Sequence, residues 1–119
     1  MRNNISKYLL VVLSVGMCQQ GFAWMINVQN KTKGQVRVDV TLAATNEQRN
    51  QIVEAGANAT IDTAGWCTSW VATVGTSGTL MNKSTAWQQP PATGFGISCR
   101  SFKLNIEETA SNNIVQNME

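Results

Sequence analysis

The chain has 119 residues, with 9 Lys and Arg against 7 Asp and Glu, three cysteines and no histidine. That length allows one small domain. The missing histidine excludes Ser-His and Cys-His nucleophile pairs and removes the commonest metal ligand.

The chain opens with Arg2 and Lys7, continues in an apolar run over residues 8–17, and places the small residues Gly21 and Ala23 three and one positions before Trp24. Charge, apolar stretch and small-residue site in that order predict a secretory signal peptide over residues 1–23. The apolar run is too short to span a bilayer as a mature helix. The expectation is therefore an exported protein, secreted or periplasmic, whose folded part begins near Trp24. Met17 is bulky where a lipoprotein signal wants a small residue before its cysteine, which argues against a lipid anchor at Cys18. Removing residues 1–23 leaves 96, in which seven basic side chains match seven acidic ones. The basic pI belongs mostly to the leader. A balanced domain lacks the electrostatic footprint of a nucleic-acid binder. It also lacks the polybasic cluster that would hold it on an anionic membrane, so no stable membrane insertion is expected once the leader is cleaved.

Beyond Trp24 the pattern is almost all period two. Ile26 and Val28 alternate with Asn27 and Gln29, and residues 30–35 are polar and read as a turn. Val36, Val38, Val40 and Leu42 share one face of the clearest strand, with Arg37, Asp39 and Thr41 on the other. That is the half-buried alternation of an antiparallel sheet. Residues 43–51 read as a loop or one helical turn, 52–54 as a short strand, 55–58 as a turn and 59–62 as the next strand. Residues 66–74 form a long β-prone run rich in Thr, Val and Trp. Residues 75–78 turn, and 79–81 read as a further strand. Pro90 and Pro91 cannot donate to a central ladder, so residues 82–94 are expected as a loop or an edge. Residues 95–99 and 102–106 alternate on opposite parities, which requires a bulge or bend at Arg100 and Ser101. Residues 107–119 are polar and read as a flexible C-terminal tail, with Ile114 and Val115 as weak docking points.

The fold predicted is all-β: a small antiparallel β-sandwich, Ig-like or jelly-roll-like, of about 7–8 short strands over residues 24–106. Cys18 leaves with the leader, so Cys67 and Cys99 form an even pair in an oxidising compartment, most simply a disulfide. It would close a loop of about 33 residues, for which chain entropy gives roughly 3–4 kcal/mol. By parity Cys67 belongs with Val71 on an inner face, and Trp66 and Trp70 fall together on the other.

No cofactor or metal site is expected. Carboxylate chemistry would need Asp39, Glu54 or Asp62 to converge. A solvated strand face is the plainer reading of Asp39. The tryptophans stand out: Trp24, Trp66, Trp70 and Trp87. Flat rings flanked by Thr, Gln and Asn suit sugar stacking with hydrogen bonds. For Trp66 and Trp70 a place in the core, or as cover for a sheet, is the plainer reading; for Trp87, beside Gln88 and Gln89, both stand. Sequons begin at Asn30, Asn58 and Asn82, all in or beside turns.

These features predict a non-catalytic exported module that binds a glycan or protein partner through exposed Trp66, Trp70 or Trp87. The alternatives are a structural subunit of an envelope or surface assembly, adhesin- or pilus-like, and a small secreted inhibitor.

Overall fold

The computed structural model describes residues 24–91 and 98–119. Over them the chain forms seven strands: β1 Met25–Asn30, β2 Val36–Leu42, β3 Gln48–Val53, β4 Asn58–Asp62, β5 Thr68–Gly75, β6 Phe102–Glu108 and β7 Ile114–Met118. One four-stranded sheet runs β4-β1-β6-β7 and one three-stranded sheet runs β3-β2-β5. The all-β sandwich read from the sequence is the fold observed. Pairing is antiparallel with one exception: β1 lies parallel to β6, Ile26 beside Phe102 and Val28 beside Leu104. The whole β3-β2-β5 sheet lies between those two strands in the sequence. It supplies the long crossover that a parallel pair requires.

The core follows from the period-two pattern. Val36, Val38, Val40 and Leu42 of β2 are fully buried, and meet Ile26 and Val28 of β1 and Leu104 and Ile106 of β6 in one apolar cluster. Each such side chain is worth roughly 1.5–3 kcal/mol relative to an exposed position.

Cys67 and Cys99 are bonded, their Cα atoms 4.4 Å apart. Next to them Thr68 and Ser98 exchange backbone hydrogen bonds, each 2.8 Å. The parity reading fails here. Thr41 of β2 faces Trp70 but Leu42 faces Thr68, so Ser69 is an extra residue in β5. The bulge moves Thr68, not Cys67, onto the inner face with Val71; Thr68 is fully buried and Cys67 only half-buried. Trp66 lies outside β5, just past a tight turn in which Ala64 and Gly65 have positive φ, so it does not share a strand face with Trp70. The expected strand at residues 95–97 lies outside the described residues.

Three other expectations need correction. The strand expected at residues 79–81 is a 3-10 turn, Gly78–Leu80, which folds Leu80 into the core. It packs so closely over β5 that a Cβ at Gly75 would run into the Leu80 carbonyl. The short strand at residues 52–54 extends back to Gln48 as β3, antiparallel to β2. Residues 107–119 are not a loose tail: β6 runs to Glu108, and β7 pairs with it from Leu104–Met118 to Glu108–Ile114. Ile114 and Gln116 are buried there.

Polar side chains pin the two sheets together at both sides. On one side Asn30, 1% exposed at the end of β1, donates its amide to the carbonyls of Gly34, Val53 and Glu54 at 2.9–3.0 Å. Its Oδ1 accepts from the Thr32 backbone N–H at 3.0 Å, with the Thr32 hydroxyl at 2.7 Å. The first sequon is thus interior rather than a reachable turn. Asn58 and Asn82 are exposed. On the other side Gln116 of β7 donates to the Val71 carbonyl of β5 at 2.9 Å and accepts from the Thr73 hydroxyl at 2.8 Å, all buried. A buried amide is tolerable when its nitrogen and its oxygen both find partners, and in these two both do.

Candidate functional site

The outer face of the β3-β2-β5 sheet is set by the same alternation that builds the core. From β2 it presents Arg37, Asp39 and Thr41; from β3, Gln48, Asn50 and Ile52; from β5, Trp70, Ala72 and Val74. The register places Gln48 and Trp70 on either side of Thr41, one row across three strands. Residues 82–91 then run along the free edge of β5. Gln88 and Val71 exchange backbone hydrogen bonds at 2.8 Å, and Ser84 bridges to Val74. One step from the Val71–Gln88 pair, Trp87 comes level with Ala72 and diagonal to Trp70, a spacing that long aromatic side chains span.

Trp70 and Trp87 line one shallow cleft of about 300 Å³, together with Thr41 and Gln48. The rings are 41% and 44% exposed, while Ala72 on the same face is buried. Trp66 is equally exposed but does not line this cleft. Of the three tryptophans singled out in the sequence, the fold therefore brings two together and leaves the third on its turn. Thr41 and Gln48 escape sequence reading. Each is an ordinary polar residue on a strand, and only the three-strand register brings them beside the rings.

The carboxylates do not converge. Asp39 accepts a two-pronged hydrogen bond from Arg37, Nε to Oδ1 at 2.8 Å and Nη2 to Oδ2 at 2.9 Å. The bond to Asp39, and then its charge, hold the Arg37 guanidinium above its ordinary pKa. Glu54 accepts from the Gln35 amide at 2.7 Å. Asp62 accepts from the backbone N–H of Ala64 at 2.7 Å and so caps the turn before Trp66. Each carboxylate has its own local partner. Among the described residues no three His, Cys, Asp or Glu side chains gather where they could hold a metal ion, and no helix is long and apolar enough to cross a membrane.

A second recess, about 500 Å³, lies at the end of the sandwich where Lys31 and Lys33 meet Glu107 and Glu108. The Lys31–Glu107 pair is 3.9 Å apart and about half exposed at both ends, a geometry that contributes little. Its charges of both signs balance within the recess.

No family model matches the sequence, and no curated protein is significantly similar to it. Among solved structures, the NMR structure of a protein from Eubacterium rectale is similar in fold, with a TM-score of 0.55 and 13% identity over 81% of this chain and 87% of that one.

Proposed function

We propose that the protein is a small exported, non-catalytic binding module that holds carbohydrate against Trp70 and Trp87. The single observation that carries this reading is the pair of half-exposed indoles on one sheet face, lining one cleft with a hydroxyl and an amide. A folded chain that leaves two such rings in water forgoes several kcal/mol of burial. Flat apolar faces bordered by hydrogen-bonding groups fit the alternating C–H faces and hydroxyl edges of a sugar ring. Export is part of the same reading. Residues 1–23 carry the order of features of a leader, and the Cys67–Cys99 bond is at home in an oxidising compartment.

A glycan array probed with the wild-type domain and with Trp87→Ala tests this. Binding to a set of glycans that the variant loses supports it, and binding to none retires it. Intact mass of the protein recovered from the medium or periplasm tests export, with chains beginning near Trp24 as the expected result.

One observation favours a second reading, a subunit of a surface assembly. Among the described residues β3, β4 and β7 each end a sheet with a single strand neighbour, the position from which a further strand could add. Concentration-dependent oligomers that form through those edges would favour assembly over glycan binding.

A further inference from the structure

We infer that the Trp70–Trp87 cleft selects neutral sugars over acidic ones and engages one or two pyranose units at a time. This rests on the carbohydrate reading above and adds a charge and size specificity to it.

Among the described residues the cleft lining carries no charge: two indoles, the Thr41 hydroxyl and the Gln48 amide. The strands of this sheet place one cation and one anion on the outer face, Arg37 and Asp39. They bind each other through two short parallel hydrogen bonds, the strongest arrangement open to this pair of groups. The guanidinium is therefore compensated before any ligand arrives. Among the described residues no charged group on the neighbouring elements lines the cleft. Arg49, on the inward parity of β3, pairs with Glu47 at 3.4 Å and donates to the Asp62 carbonyl at 3.0 Å. Arg100 donates to the Ser101 carbonyl at 3.3 Å. Lys83 sits at the Gly75 end of β5, five residues from Trp70 and so roughly 16 Å along the strand.

An acidic sugar placed on these rings would surrender hydration of its carboxylate or sulfate and meet no uncompensated cation. Desolvation without a partner is costly. A neutral pyranose has only hydroxyls to satisfy. The Gln48 amide and Thr41 hydroxyl offer donors and acceptors for them. The volume, about 300 Å³, lies at the small end of the range for ligand sites, roughly 300–1,000 Å³. That suits a short stretch of chain or a terminal disaccharide.

The test is titration calorimetry of the disulfide-bonded domain at low and high NaCl. One panel holds the neutral disaccharides cellobiose, lactose and N,N′-diacetylchitobiose, and the other a galacturonate dimer and a sulfated heparin disaccharide. At least one neutral sugar is expected to bind, with affinity changing less than about twofold between the two salt conditions. Trp70→Ala and Trp87→Ala should each weaken it at least tenfold, and both acidic sugars should bind at least tenfold more weakly than it does. Trp-dependent binding of an acidic sugar in preference to the neutral ones overturns the specificity and leaves the carbohydrate reading standing. Absence of Trp-dependent binding across both panels overturns both. Asp39→Asn sharpens the outcome by freeing the guanidinium. The galacturonate dimer should then gain at least threefold, and no gain would remove the Arg37–Asp39 pair from the account of specificity.

Discussion

The Asn30 pin and the Trp70–Trp87 cleft invert the ordinary distribution of polar and apolar groups in opposite ways. At the first, an amide and a hydroxyl sit in the interior with hydrogen bonds of 2.7–3.0 Å. At the second, two of the largest apolar side chains stand more than two-fifths exposed. A buried polar group with every partner present holds the fold. An exposed aromatic pair contributes little to the fold and is available to a ligand. The comparison separates residues by what they serve, although both regions were equally conspicuous in the sequence, one as a glycosylation sequon and the other as an excess of tryptophan.

The largest effect is expected where the distinction blurs, at the disulfide. Its loop includes both Trp70 and Trp87, so it constrains the fold and the cleft together. Cys67→Ser with Cys99→Ser should lower unfolding free energy by about 3–4 kcal/mol in urea denaturation, and should weaken glycan binding as well. Asn30→Ala should come next. It strips donors from three carbonyls and leaves the Thr32 backbone N–H without its acceptor, a loss of about 2–3 kcal/mol in the same assay, with ligand affinity unchanged in the folded fraction. Gln116→Ala removes the corresponding pin on the far side and should cost about 1–2 kcal/mol. It should also accelerate amide hydrogen exchange across β7. Trp70→Ala closes the series: under about 1 kcal/mol in stability, as befits a surface position, yet at least a tenfold loss in affinity. A large stability loss in Trp70→Ala would place that ring with Asn30 rather than opposite it.

How far the sequence could be read depended on whether each strand had a simple partner on each face. β1 and β2 were legible because Ile26, Val28, Val36, Val38, Val40 and Leu42 face one continuous apolar core. β3 was missed over Gln48, Arg49, Asn50 and Gln51, which are polar on both faces. An edge strand has a sheet neighbour on one side only, and Arg49 on its inward parity reaches the Asp62 carbonyl instead of packing in the core. β7 was missed because its inner face reads Ile114, Gln116, Met118. The amide looks like solvent-exposed chain until Thr73 and Val71 are seen to receive it. The Ser69 bulge defeated the parity argument for Cys67 and Trp66, since one inserted residue exchanges the two faces. For the cleft, composition alone pointed to Trp70 and Trp87. Thr41 and Gln48 entered only through the β3-β2-β5 register, and Trp66 left it because a turn, not a strand, carries that residue.

The central claim is that two of the four tryptophans bind ligand and two do not, and their indole N–H resonances report it directly. In a ¹H–¹⁵N spectrum of the domain from Trp24 onward, titrated with the tightest-binding neutral disaccharide, the Trp70 and Trp87 indole signals should shift together along one saturating curve while those of Trp24 and Trp66 stay in place. Equal movement of Trp66, or saturable binding with the Trp70 and Trp87 signals unmoved, would contradict the assignment of the site.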